Sequence, residues 1–124
     1  MSITAGIDLD GTAINFTFVD EREQFLIEGL CEYPARTADG PDVCLRQIED
    51  GLKYAAAKTG ISFADVAVVG LDTPGPATAS GVLSARGATN FVHPKWIGFD
   101  IRGGLERRLG KPVTYLNDGN AAAL

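Results

Sequence analysis

A short run of small and acidic residues near the start of the chain has the composition of a phosphate-binding turn. Residues 6–12 read GIDLDGT. Gly11 lets a ligand approach the backbone closely, so exposed N–H groups and the Thr12 hydroxyl could hold a phosphate. Asp8, at the end of an apolar segment, could bind Mg²⁺ directly or through water. The same residue types also build ordinary hairpin turns, and the motif alone leaves both interpretations open.

Two further segments have residues suited to ligand contact. Residues 72–76 follow an apolar strand, and ligands of α/β sheets bind at the carboxyl ends of strands. There Gly75, between Pro74 and Pro76, predicts a rigid turn whose backbone can face a ligand. The amide of Asn90, in a long loop, could both donate to and accept from a sugar hydroxyl, although capping its own turn is the commoner role.

The last eight residues, 117–124, read NDGNAAAL and follow another predicted strand. Asn117 or Asp118 would serve as the N-cap of a helix that begins here. Alternatively, Asp118 would act as a general base for a hydroxyl that is being phosphorylated. Capping requires one polar residue, whereas three of them flank Gly119, and this favours the catalytic interpretation.

The elements that position these segments can be predicted from hydrophobic periodicity and turn residues. Three β-type runs joined by short turns predict an antiparallel meander. A change to helical spacing follows, and the near-continuous apolar run after it is typical of a strand buried on both faces. The predicted elements are strands 3–9, 13–19 and 24–33, helix 41–59, strand 66–71, helix 101–109, strand 112–116 and helix 119–124, with a long loop over 72–98. The order β-β-β-α-β-α-β-α predicts an α/β fold with a mixed sheet.

Composition excludes several classes of function. The 124 residues suit one domain, and the proportions of 45% hydrophobic and 22% charged residues are those of a globular chain. A net charge of −5 with no basic patch argues against nucleic-acid binding. No apolar run of about 18 residues predicts a membrane span, and no basic signal region is visible, so we expect a cytoplasmic protein. Cys31 and Cys44 have no metal spacing, and the single His93 gives no zinc site.

Together and in this order, the four segments resemble the N-terminal half of a ROK-family sugar kinase of the bacterial glucokinase type. The resemblance covers essentially the whole chain. GIDLDGT resembles the family's phosphate motif, PGP at 74–76 its Pro-Gly-Pro turn, Asn90 followed by Trp96 its sugar-contacting loop, and NDGNAAAL its Asn-Asp-Ala-Asn signature. The resemblance implies an actin-like, ribonuclease-H-like ATPase fold, with residues 1–124 as its first lobe.

The resemblance also implies an activity, which is ATP-dependent phosphorylation of a hexose, with glucose as the first candidate, at its 6-hydroxyl. The implied ATP- and Mg²⁺-binding residues are Asp8, which takes the metal, with Gly11 and Thr12. The implied hexose-binding residues are Gly75, Pro76, Asn90, Asn117 and Asp118. Asp118 would also take the proton from the 6-hydroxyl as it attacks the γ-phosphorus.

The chain departs from the family pattern in ways that bear on activity. Asp10 stands where the family usually has a second glycine, and a carboxylate there would repel the γ-phosphate unless it turns toward the metal. The family's second lobe, with its adenosine site and zinc motif, has no counterpart in the 124 residues. We therefore expect the missing C-terminal lobe to be a required partner and the isolated chain to be inactive. The sequence leaves open a homo-oligomer.

Two other functions stay open at this point. The motif around Asp8 and Asp10 also spells the DxDGT sequence of haloacid-dehalogenase-type phosphatases, in which Asp8 would be the nucleophile and Asp10 the acid and base. Against this, the next segments predict a β-meander rather than a helical cap. The other alternative is a non-catalytic, sugar-binding ROK-like module. The family's repressors have a DNA-binding segment before the phosphate motif, and with the motif starting at Gly6 we expect none here.

Overall fold

The computed structural model describes residues 2–10, 12–26, 31–73, 80–83 and 93–117. Within these ranges the chain forms five strands and two α-helices. They are β1 (Ile3–Leu9), β2 (Ala13–Val19), β3 (Cys31–Pro34), α1 (Pro41–Thr59), β4 (Val66–Thr73), α2 (Ile101–Leu109) and β5 (Val113–Asn117). The predicted α/β fold and the order of these elements are confirmed. The predicted helix at 119–124 lies outside the described residues.

The five strands form one mixed sheet in the order β3-β2-β1-β4-β5. The β1–β2 and β2–β3 pairs are antiparallel, as the meander predicted. β4 and β5 each follow a helix, and the β1–β4 and β4–β5 pairs are parallel. The carboxyl ends of β1, β4 and β5 therefore lie at the same edge of the sheet, which we call the carboxyl edge.

Helix α1 begins and ends where local sequence chemistry predicts. Pro41 occupies the first turn, where its missing N–H removes no hydrogen bond, and Asp42 lies at the positive end of the helix dipole. Gly60 ends the helix in the left-handed conformation, with φ of 83°, and its N–H bonds back to the carbonyl oxygen of Ala57. One stripe of the helix is buried, which includes Ile48 and Leu52.

The hydrophobic core lies between the two helices and one face of the sheet. Alternate residues of the first two strands point into it, namely Ile3, Ala5, Ile7 and Leu9 of β1 and Ile14, Phe16 and Phe18 of β2. Helix α1 approaches this face closely at Gly51, where a Cβ atom would lie 2.7 Å from Cζ of Phe16 and 2.9 Å from Cγ of Tyr33. A glycine at this position therefore sets the distance between helix and sheet.

Two predictions about the strands are wrong. Burial in β4 alternates, and Ala67 is exposed, so the strand is not buried on both faces by the described residues. Small side chains made this strand look uniformly apolar, although only one of its faces meets the helices. The predicted third strand, 24–33, is also too long at its start, since Phe25 makes only an isolated bridge to Val19 and β3 begins at Cys31. β4 in turn continues through Thr73, into the predicted loop.

No helix among the described residues is both long enough and apolar enough to cross a membrane.

Candidate functional site

The sheet face that points away from the helices carries glycine and polar residues in rows across neighbouring strands. In one row, Gly6 of β1 pairs with Thr17 of β2 and with Gly70 of β4. In the next row toward the carboxyl edge, Asp8 pairs with Asn15 and with Asp72. Residues in register on adjacent strands, about 5 Å apart, point to the same face. The sheet therefore brings two carboxylates and an amide side by side.

These rows form the floor of a groove with a volume of about 580 Å³. Its lining includes Gly6, Asp8, Asn15, Gly70 and Asp72. A Cβ atom at Gly70 would meet only a carbonyl oxygen at 4.0 Å, so the described residues leave the groove open over β4. Over Gly6 of β1 the space is taken, because a Cβ atom there would lie 2.5 Å from Oγ1 of Thr17. A group that enters this groove can therefore approach the backbone closely at Gly70.

The amide oxygen of Asn15 lacks a hydrogen-bond donor among the described residues. Its Oδ1 atom is buried and accepts no hydrogen bond from them. A buried acceptor without a donor is unfavourable by about 1–3 kcal/mol, so this oxygen favours a ligand or a further segment that brings a donor. Asn15 therefore adds an acceptor to the row that contains Asp8 and Asp72.

The turn between β1 and β2 lies at the carboxyl edge and is closed by an aspartate. Oδ1 of Asp10 accepts hydrogen bonds from the backbone N–H groups of Thr12 and Ala13, both at 2.9 Å, and a longer one from Oγ1 of Thr12 at 3.4 Å. We call this arrangement the Asp10 clasp. The N–H groups of Thr12 and then Ala13 hold the pKa of the Asp10 carboxyl below its ordinary value, so the group is charged at neutral pH.

The side chain of Asp10 folds back onto its own turn. The physical reason is local: an aspartate followed two residues later by a free N–H forms an Asx turn.

The ends of β4 and β5 are joined at the same edge of the sheet. Thr73, the last residue of β4, is buried, and its Oγ1 is hydrogen-bonded to the hydroxyl of Tyr115. In register, Thr73 pairs with Asn117, the last residue of β5. The segment with the Pro-Gly-Pro sequence and the segment with the NDGN sequence thus start from neighbouring strand ends. The phosphate motif ends beside them, because β1 pairs with β4.

The predicted site residues differ in how far the structure describes them. Asp8 is exposed and lies in the groove, and Thr12 is exposed in the β1–β2 turn. Asn117 is described only as the backbone end of β5. The remaining predicted site residues lie outside the described ranges, namely Gly11, Gly75, Pro76, Asn90 and Asp118.

Trp96, which follows the predicted sugar loop, has a packing role. Its side chain is buried, its Nε1–H donates to the carbonyl oxygen of Thr37 at 2.7 Å, and its ring meets Phe99 edge-on. His93 packs its ring against Gly40, where a Cβ atom would lie 3.3 Å from the imidazole. Both residues thus support the N-terminal end of α1. In the part of the chain that the structure describes, no group of three His, Cys, Asp or Glu side chains could hold a metal ion.

The sequence alone did not single out Asn15 or the side chain of Asp72 as candidate site residues. Asn15 looked like an ordinary outward position of an alternating strand, and Asp72 looked like part of a turn. The sequence did carry a signal, namely polar residues close to the strand ends at the carboxyl edge. Such residues come together only when the register of the strands aligns them. Recognising it requires the pairing of β1 with both β2 and β4.

Comparison with known proteins identifies relatives over nearly the whole chain. The sequence model described as ROK family matches residues 4–124. An inorganic polyphosphate/ATP-glucomannokinase from Arthrobacter sp. strain KM is 27% identical, with a TM-score of 0.75, and the match covers 98% of this chain and 46% of that one. A ROK hexokinase from Thermus thermophilus is 30% identical, with a TM-score of 0.76 and coverages of 98% and 37%.

A ROK family glucokinase from Streptomyces griseus, solved in complex with glucose and AMPPNP, is 27% identical, with a TM-score of 0.64 and coverages of 98% and 35%. The chain thus spans less than half the length of these three relatives. No curated protein sequence matches it.

Proposed function

The chain belongs to the ROK family, and from this premise we propose that it supplies one half of a sugar kinase that phosphorylates the 6-hydroxyl of a hexose with ATP. Glucose is the first substrate to test. One observation carries the proposal: the phosphate motif, the Pro-Gly-Pro segment and the NDGN segment follow or end strands whose carboxyl ends meet at one edge of the sheet. Ligands of α/β sheets bind at such edges.

Residues 1–124 would form the first lobe of this kinase. The related kinases are more than twice as long as the stretch that matches this chain. Phosphoryl transfer requires a donor and an acceptor held in line, which a cleft with two walls achieves. We therefore propose that turnover depends on a second lobe, which closes over the carboxyl edge.

At the phosphate end of the cleft, Asp8, Gly11 and Thr12 would bind the donor. Asp8 is exposed at the carboxyl end of β1, with the carboxylate of Asp72 in register beside it, and oxygen ligands of this kind suit Mg²⁺. The Thr12 hydroxyl, exposed in the turn, is a donor for a phosphate oxygen. Bound Mg²⁺ and ATP would supply charge neutralisation and the transferable phosphoryl group.

At the sugar end, Gly75, Pro76, Asn90, Asn117 and Asp118 would bind the hexose. Asp118 follows the last residue of β5 directly, which supports a position near the carboxyl edge. Its carboxylate would accept the proton of the 6-hydroxyl, and Asn117 would hold a neighbouring hydroxyl. Once oriented, the 6-hydroxyl needs little further chemical activation, since phosphoryl transfer depends chiefly on positioning and electrostatics.

The test is hexose phosphorylation by the full-length protein with MgATP, in the wild type and in Asp118→Asn. Loss of the general base should lower kcat by about 10²–10⁴-fold while hexose binding persists. Asp50→Asn, at an exposed position of α1, is the matched control and should leave kcat unchanged. A fall in kcat of equal size in both variants would contradict the assignment of Asp118.

The same assays separate the two alternative functions. Hydrolysis of phosphomonoesters that disappears in Asp8→Asn would indicate the phosphatase. Among the described residues, however, β2 and β3 follow the motif rather than helices, so nothing there supports it. Hexose binding with no phosphoryl transfer by the full-length wild type would indicate a non-catalytic sugar-binding module.

A further inference from the structure

The turn between β1 and β2 contains a negative charge of its own at the place where a phosphate would bind. We propose that Asp10 acts as a resident anion, which occupies the phosphate-binding N–H groups of this turn and so weakens binding of the phosphoryl donor. This inference rests on the proposed function, and it assigns to Asp10 a role in setting the affinity for the donor.

The geometry of the Asp10 clasp is that of an anion in a backbone cradle. Two consecutive N–H groups and one hydroxyl converge on a single carboxylate oxygen. A phosphate oxygen would use the same donors at the same distances, because carboxylate and phosphate oxygens are alike as charged acceptors. Donors of Thr12 and Ala13 that bond to Asp10 must therefore exchange partners before they can bond to a phosphate.

Electrostatics strengthens this competition. An aspartate carboxyl is ionised at neutral pH, and the donors of this turn converge on the Asp10 carboxylate. Asp8 and Asp72 bring two further carboxyl groups to the neighbouring strand ends. An incoming polyphosphate thus meets negative charge at the site that should attract it, and like charges about 4 Å apart in water change a binding constant roughly fivefold.

A second turn has a similar arrangement of hydrogen bonds and lies away from the proposed phosphate site. Oδ1 of Asp20 accepts from the N–H groups of Arg22, at 2.9 Å, and Gln24, at 3.0 Å, in the turn that follows β2. This turn lies at the opposite edge of the sheet, where Glu21 accepts a hydrogen bond from the N–H of Ser2. Asp20 is therefore a matched control, with the same local chemistry and no part in the phosphate site.

The test measures binding of inorganic tripolyphosphate and of MgATP to the full-length protein by calorimetry. Asp10→Gly removes the resident anion, and we expect it to bind tripolyphosphate at least about fivefold more tightly than the wild type. Asp10→Asn keeps an oxygen that can close the turn but removes the charge, so its affinity should fall between those two. Asp20→Asn should bind like the wild type.

Kinetics supplies a second readout that a purely structural role would not change. In the kinase assay, Asp10→Asn should lower the KM for MgATP and leave the KM for hexose unchanged. Equal or weaker tripolyphosphate binding by both Asp10 variants, in a protein that still phosphorylates hexose, would overturn the inference and leave the proposed function intact. If neither the wild type nor any variant binds tripolyphosphate or MgATP, both are overturned.

Discussion

Adjacent residues of the same strand face opposite sides of the sheet and meet opposite surroundings. Ile7 is 2% exposed in the core beneath the helices, whereas Asp8, its neighbour, is exposed on the floor of the groove. In β2, Phe16 and Asn15 differ in the same way, since Phe16 is 1% exposed in the core and Asn15 lines the groove, where its amide oxygen finds no donor among the described residues. The packed face holds the fold together, and the polar face lines the groove.

This contrast is instructive because both faces are built by the same strands in one register. Because side chains alternate along a strand with a period of two residues, core residues and groove residues lie within a few ångströms of each other. Substitutions on the packed face should therefore reduce the free energy of unfolding, and substitutions on the polar face should change binding and catalysis with little effect on folding.

The largest effect should come from the packed face. Phe16→Ala removes a fully buried ring that contacts α1 near Gly51, and it should reduce the free energy of unfolding by about 3–5 kcal/mol. Urea titration followed by circular dichroism measures this loss. The matched variant, Asn15→Ala, lies on the other face of the same strand and should change the free energy by much less. Equal losses would contradict the proposed difference between the faces.

The second effect should come from the polar face and should appear in activity. Asp8→Asn removes a carboxylate that would support Mg²⁺, and it should lower kcat/KM of the full-length protein by about 10–100-fold. Raising the Mg²⁺ concentration should restore part of the rate. The urea midpoint should stay at the wild-type value, because Asp8 is exposed. A large fall in that midpoint would assign Asp8 a structural role instead.

The third prediction concerns a polar residue that caps one of the two helices on the packed face. Asp100 precedes α2, and its Oδ1 accepts from the N–H of Gly103 at 2.9 Å. Asp100→Ala leaves that N–H without its partner and should reduce the free energy of unfolding by about 1 kcal/mol. The kinetic constants should stay unchanged. Asp100→Asn, which retains a capping oxygen, should lose only a few tenths of a kcal/mol.

The smallest effect concerns pH and the Asp10 clasp. Hydrogen bonds from Thr12 and Ala13 lower the pKa of folded Asp10 below 3.8, so the clasp stabilises the fold above that pH. The contribution disappears as the pH falls through the lowered pKa. Because Asp10 is exposed, we expect the clasp to contribute less than about 1 kcal/mol to the free energy of unfolding. Unfolding of wild type and Asp10→Asn at pH 7 and pH 2 measures it, and a difference that grows toward pH 2 would contradict the direction.

Local features of the sequence predicted most elements of the fold. Pro41 and Gly60 mark the ends of α1, and Gly110 ends α2, because helix termini depend on the conformation of a few residues. The predictions failed where the burial of a strand depends on residues that are distant in the sequence. Whether β4 is buried on one face or both depends on what packs against it, and the alternation in its burial became visible only with the helices in place.

The candidate site shows the same division between local and long-range information. The phosphate motif and its Asp8 could be identified from residue types and spacing, and the resemblance to the ROK family agrees with the family match over residues 4–124. The roles predicted for the site residues stay predictions, namely those of Asp8, Gly11, Thr12, Gly75, Pro76, Asn90, Asn117 and Asp118. The orientation of Asp10 could have been anticipated from its Asx turn, but its competition with a phosphate depends on the edge at which that turn lies.

By itself, the sequence determined the elements, their order, the turn chemistry and the family, because each depends on residues close together along the chain. Only the tertiary structure decided that Asp8, Asn15 and Asp72 share one row, and that the ends of β1, β4 and β5 share one edge. Strand order and register arise from the packing of distant segments, in which a shift by one residue would turn every side chain to the other face.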